Sequence, residues 1–157
     1  MPPDPIGTQI LNYCVALDRA NDPVMNDCNA FVKKVAGRFG VPINPNFDAD
    51  EIVEAFPATP FTKTTTDPAT AMLWANDGLV VAGMTLSQLE ANPSYGSHTN
   101  GHVAIVHPAA DTAHPGFPMA SWGVLGSRGT SNTSIRWSFP AAACEDKAVQ
   151  FAFAPTE

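Results

Sequence analysis

Leu79-Val80-Val81-Ala82 and, after a loop, His102-Val103-Ala104-Ile105-Val106-His107 mark where this chain changes character. The first is a continuous apolar run, consistent with a central strand. In the second, alternation sets His102, Ala104 and Val106 on one face and Val103, Ile105 and His107 on the other. Upstream of these runs, apolar residues recur at helical spacing. Downstream, short strand-like runs occupy 117–122, 133–139 and 148–153, with a Gly/Ser-rich stretch at 123–132 separating two of them. Helices first and an antiparallel sheet second is an α+β order.

Working back from Leu79, a helix is expected over 7–20, where Ile10, Cys14 and Leu17 share a stripe with Leu11 beside it, and Asn21-Asp22-Pro23 breaks it. A second helix opens at Asn26 or Asp27 as cap and carries Phe31, Val32, Val35 and Phe39 on its apolar stripe. Gly40 suits the left-handed C′ position, and Pro42 follows as a stop. A third starts at the capping-box pattern Asp48-Ala49-Asp50-Glu51, presents Ile52, Val53 and Phe56, and ends at Pro57. Residues 57–67 read as a Thr- and Pro-rich surface loop. Asp67-Pro68 then reads as an N-cap with proline at N1, opening a short helix that carries Met72 and Leu73 and stops by Asp77-Gly78. Residues 85–101, holding Pro93, Gly96 and Gly101, form a long loop, and loops of that length in small domains are often functional.

The chain has 157 residues, enough for a single domain over 1–157 and its own core. Eight Lys and Arg against 15 Asp and Glu give a formal charge of −7, which makes nucleic acid and anionic membrane poor partners. No apolar run approaches the ~20 residues of a membrane helix. Met1-Pro2-Pro3-Asp4-Pro5 lacks a basic region and an apolar core, so no cleavable signal peptide is expected.

Three cysteines, Cys14, Cys28 and Cys144, make an odd count with no Cys-x-x-Cys pair. In an oxidising compartment, a Cys14–Cys144 disulfide would close a long loop and contribute ~2–4 kcal/mol, leaving Cys28 free. Two buried thiols are the other reading. Cys28 falls in the first turn of the second helix, where unpaired N–H groups and the helix field stabilise a thiolate or an oxyanion. A nucleophilic thiol needs a base, and of His98, His102, His107 and His114 the one opening the strongest strand is His102. A packed core cysteine and a structural strand-end histidine are the bland alternatives. His98-x-x-x-His102 has a spacing that metal ligands use, but it lies in a Gly/Ser/Asn loop without a carboxylate cluster, so neither metal nor cofactor is expected.

Asn26-Asp27-Cys28-Asn29-Ala30-Phe31-Val32 resembles the Asp-Cys-Ser-Gly-Phe-Val nucleophile motif of NlpC/P60-type papain-like cysteine peptidases. Gly101-His102-Val103-Ala104-Ile105-Val106 resembles their Gly-His-Val-Gly-Ile motif, in the same order along the chain. Within that superfamily the chain is most similar to type VI secretion amidase effectors of the first subgroup, over roughly residues 8–153. Phe39-Gly40-Val41-Pro42 after the nucleophile helix, Leu79-Val80-Val81-Ala82-Gly83 before the His strand and Pro118-Met119 opening the next carry that likeness. Asn29-Ala30 departs from the family's Ser-Gly.

The resemblance implies a papain-like fold with N-terminal helices on a small antiparallel sheet. It implies a peptidoglycan amidase cutting between γ-D-glutamate and meso-diaminopimelate in stem peptides, with Cys28 as nucleophile and His102 as base. A third polar group on the strand after the His strand would orient the imidazole: Ser121 or a backbone carbonyl beside it. Asp27 is a candidate substrate-binding residue, and Lys33, Lys34 and Arg128 are candidates to offset the charge of an acidic stem peptide. The implied setting is secretion by the type VI apparatus into a target cell's periplasm, with a cognate periplasmic immunity protein in the producer. A monomer is expected. A papain-like deamidase or acyltransferase acting on proteins, a phage or self cell-wall hydrolase, and a decayed binding domain are the competing functions.

Overall fold

The structure, a computed structural model, describes residues 3–156. Helix α1 (Ile6–Arg19) leads through a 3-10 turn (Pro23–Asn26) into α2 (Cys28–Arg38) and α3 (Ala49–Glu54). Strand β1 (Lys63–Thr65), α4 (Pro68–Trp74), β2 (Leu79–Met84) and α5 (Leu86–Glu90) follow, then a 3-10 turn at Pro93–Tyr95. The chain ends with β3 (His102–Ala110), β4 (Pro118–Trp122), β5 (Thr130–Ser134), a 3-10 turn (Ile135–Trp137), α6 (Ala141–Glu145) and β6 (Gln150–Ala154). The fold is α+β, with one six-stranded sheet in the order β1-β6-β2-β3-β4-β5 and every neighbouring pair antiparallel.

The alternation read from the sequence sorts the core into two layers. Leu79, Val81, Val103 and Ile105 face Ile10, Cys14 and Leu17 of α1, Phe31, Val32 and Val35 of α2, and Ile52 and Val53 of α3. Val80, Ala82, Ala104, Val106 and Phe151 face the other way, onto Ala71 of α4, Leu89 of α5, and Ala143 and Cys144 of α6. Helices therefore cover both faces of the sheet. The expectation of N-terminal helices packed on a sheet describes only one of the two helical layers.

Local chemistry sets the helix ends. The Asp48 side chain accepts the Glu51 N–H while Glu51 reaches back to the Asp48 N–H, so the expected capping box is formed. Asp67 caps α4 with Pro68 at N1, as expected. Gly40 lies at φ 76°, the left-handed conformation that ends α2.

Further expectations differ from the structure. The run 133–139 is not one strand: β5 ends at Ser134, whose side chain accepts the Arg136 N–H at 3.2 Å and starts a turn. Ile135 and Phe139 sink into the second core while Trp137, midway between them, is exposed, which a straight strand with one buried face does not allow. The loop 57–67 contains β1, held as an edge by β6, and the loop 85–101 contains α5 under a Thr85–Gln88 capping box. The Cys14–Cys144 disulfide is not formed. Cys14 lies in the first core and Cys144 in the second, on opposite faces of the sheet, and all three cysteines are free thiols. Among the described residues no helix is long and apolar enough to cross a membrane.

Candidate active site

Asp27 is the N-cap of α2, and Cys28 is the first helical residue. Asp27 Oδ1 accepts the N–H groups of Asn29 at 3.1 Å and Ala30 at 3.4 Å, and its carbonyl accepts that of Phe31 at 3.0 Å. The Cys28 N–H has no carbonyl or side-chain oxygen as acceptor among the described residues, so one donor of the helix end stays available. The Met25 carbonyl accepts N–H bonds from Val124 at 3.1 Å and Gly129 at 2.8 Å, tying the approach to Cys28 to the β4–β5 connection. Cys28 is 6% exposed, and burial pushes its thiol upward. The backbone N–H of Val103, and more weakly those of Asn29 and Cys28 itself, oppose that rise, while the Asp27 carboxylate adds to it. The sulfur thus lies against the start of β3, beside the residue that follows His102.

Gly101 lets β3 begin there. A Cβ at this position would lie 2.1 Å from Asp50 Oδ1 and 3.0 Å from the Met84 carbonyl oxygen. That carboxylate oxygen is already held by the Leu86 N–H at 2.9 Å. Next along, His102 Nε2 lies 2.7 Å from Ser138 Oγ, and the Phe139 ring packs edge-on against the imidazole at 5.0 Å. Burial, with His98 nearby, pushes His102 down to about 4. Its Nδ1 has no protein partner among the described residues and is not sealed in the interior. Thiol and imidazole are both uncharged at neutral pH, and no hydrogen bond joins them in this structure.

Both residues line one groove of about 640 Å³ at this end of the sheet. Asp27, Asp48, Asp50 and His98 also line it, and Trp137 and Leu125 stand at its wall, 81% and 61% exposed. No Lys or Arg lines it among the described residues. The three candidate cations are engaged elsewhere. Lys33 reaches Asn29 Oδ1 at 3.2 Å and the Pro45 carbonyl at 2.9 Å, Lys34 pairs with Asp22 at 2.6 Å, and Arg128 pairs with Asp18 at 2.6 Å. His98 Nε2 lies 2.6 Å from the Tyr95 carbonyl oxygen, and no group of three or more His, Cys, Asp or Glu gathers for a metal among the described residues.

Ser121 does not orient His102. It pairs in register with Ile105, on the face of Val103 and His107, with the sheet between it and the His102 ring. Its hydroxyl lies 2.6 Å from His107 Nε2, accepts the Asn132 N–H at 2.9 Å and bonds the Cys14 thiol. His107 is fully buried, with Nδ1 unpartnered, and burial pushes it down to about 3. The hydroxyl that meets the His102 ring is that of Ser138, inside the run 133–139 that the sequence reads as a strand. Ile135 and Phe139, four apart, share a face in a strand as well as in a helix, so their spacing does not reveal the turn that carries Ser138. No protein-family model matches this sequence, and no curated protein matches it.

Proposed function

We propose that this chain is a papain-like cysteine amidase that hydrolyses the γ-D-glutamyl–meso-diaminopimelate bond of peptidoglycan stem peptides, delivered as an antibacterial type VI secretion effector. One observation carries the chemistry: a helix-N-terminal cysteine and a strand-initial histidine line the same open groove, the imidazole held through Nε2 by a hydroxyl. The bond and the biological setting rest on the resemblance of the two motifs.

The reaction starts from an uncharged pair. His102 Nδ1 takes the thiol proton as Cys28 Sγ adds to the carbonyl carbon. The Cys28 N–H, positive end of α2 behind it, receives the oxyanion. The tetrahedral adduct collapses, the C–N bond breaks, and the imidazolium gives its proton to the departing amine. Water then adds to the thioester with His102 as base, and the thiol is restored. The carboxylates of Asp27, Asp48 and Asp50 suit the ammonium group of diaminopimelate and repel the acidic half of the stem peptide. Binding that half therefore falls to neutral donors such as the side-chain amide of Asn29 or Asn100 in the groove.

The test is digestion of diaminopimelate-type muropeptides followed by mass spectrometry. The expected product has a new amino terminus at diaminopimelate, and Cys28→Ala or His102→Ala lowers the rate at least about a thousandfold. Muropeptides left intact by the wild type, or cut by either variant, would defeat the proposal. Intact muropeptides together with deamidation of a glutamine-containing protein would favour the protein-directed reading.

A further inference from the structure

We propose that Ser138 is the positioning residue of this site: its hydroxyl accepts from His102 Nε2–H and so keeps Nδ1 bare toward the groove as the base for Cys28. The inference rests on reading Cys28 and His102 as the working pair, and it deepens that reading.

A neutral imidazole carries its proton on one nitrogen only, and the other is the base. Of the two nitrogens of His102, Nε2 is the one with a protein partner, Ser138 Oγ at 2.7 Å. If the ring donates there, the lone pair belongs to Nδ1. Ser138 sits just after the Ile135–Trp137 turn, where its backbone N–H donates to the Ile135 carbonyl at 2.9 Å. The side chain has no capping duty and is free to serve the ring. The next residue, Phe139, is 3% exposed and packs edge-on against the same imidazole, which limits rotation of the ring. Among the described residues no other hydroxyl is hydrogen-bonded to the ring: Ser121, the one nominated by the sequence, is on the far side of the sheet with His107.

Position also favours the charged state that catalysis requires. When the thiol proton moves from Sγ to Nδ1, the imidazolium still donates Nε2–H to Ser138. A bond to a charged donor is about twice as strong as a neutral one. Ser138 therefore stabilises the thiolate–imidazolium state more than the resting pair, against the burial that disfavours it.

The test reads tautomer and thiol reactivity separately. In protein labelled with 15N-histidine, long-range 1H–15N correlation reports which nitrogen of each ring is protonated. Alkylation of Cys28 by iodoacetamide across pH 5–9, followed by peptide mass, reports thiolate formation without any substrate. The expected wild type has His102 as the Nε2–H tautomer. Ser138→Ala populates both tautomers and slows Cys28 alkylation at pH 7 about five- to tenfold, the worth of one such bond. Ser138→Thr restores both readouts. If Ser138→Ala folds poorly, Ser138→Cys, of similar size and a weaker acceptor, gives the same test. A wild-type His102 protonated on Nδ1, or a Ser138→Ala protein with unchanged tautomer and alkylation profile, would overturn the assignment while cleavage of muropeptides by the wild type still supports the amidase. Muropeptides left intact by the wild type refute the amidase reading itself, and Ser138 then has no base to position.

Discussion

Lowering the pH from 7 to 5 weakens this fold through a histidine that does no chemistry. His107 is fully buried against Ser121, and its folded-state value lies near 3, against 6.5 for an exposed imidazole. Below 6.5 the unfolded chain binds a proton at this position and the folded chain does not, so stability falls as pH falls. The contribution is complete above 6.5 and drains away down to about 3. Each pH unit in that window is worth about 1.4 kcal/mol, so the loss at pH 5 is about 2 kcal/mol. His102, pushed to about 4, acts in the same sense. The depressed carboxyls of Asp22, Asp67 and Asp111 also lose stability on acidification, but only below 3.8, outside this window. Against a total of about 5–15 kcal/mol, 2 kcal/mol moves a urea midpoint measurably. The assay is urea unfolding of wild type and His107→Gln at pH 7, 6 and 5. Glutamine keeps a hydrogen-bonding group for Ser121 and removes the titration. The pH slope of the variant is expected to be shallower by about one proton. Equal slopes would refute the argument.

Gly101→Ala places a methyl group 2.1 Å from Asp50 Oδ1, so it displaces the carboxylate from Leu86 or shifts the start of β3. A loss of about 2 kcal/mol or more in stability is expected, with slower Cys28 alkylation, and wild-type values for both would count against the geometry. Asp27→Asn removes the negative charge that raises the Cys28 thiol, so the alkylation profile moves to lower pH; movement to higher pH contradicts the assigned cause. All three thiols remain free in air-exposed native protein, because the sheet separates Cys14 from Cys144. Denaturation with alkylation and no reductant gives a mass gain of three alkyl groups, and a gain of one would reveal a bridge.

The sequence made the frame legible wherever a residue's local chemistry and its burial agree. The box at Asp48, the Asp67-Pro68 start and the stripe Phe31, Val32, Val35 each mean the same thing in isolation as in the fold. Alternation in β3 also survived, since Val103 and Ile105 enter one core and Ala104 and Val106 the other. What stayed hidden depends on partners distant in the chain. Strand β1 is Lys63-Thr64-Thr65, polar and short, and is a strand only because β6 offers a free edge. Serines carry no periodic signal, so nothing local distinguishes Ser121, facing His107, from Ser138, facing His102. The disulfide reading failed for the same reason: an odd count and a long intervening loop say nothing about which face of the sheet each thiol occupies.

That two-faced sheet also explains where the site must be. Cys28 packs with Val103 and Ile105 in one layer, whereas the His102 ring meets Phe139, which belongs to the other. Backbone hydrogen bonds fill the plane between the layers, so side chains from opposite faces can share space only past the last residue of a strand. Gly101, pressed against Asp50, lies just before β3 and leaves His102 as its first residue. Had the histidine stood one position later, alternation would have turned it into the core of Val32 and Val53, away from Ser138 and the groove. Exchanging the two residues, His102→Val together with Val103→His, tests this. With the β3 register held, the imidazole is turned from the groove face into that core, Cys28 alkylation loses its dependence on the histidine, and the buried ring costs stability. An exchanged variant that keeps the wild-type alkylation profile would show that the pair does not depend on the end of the sheet.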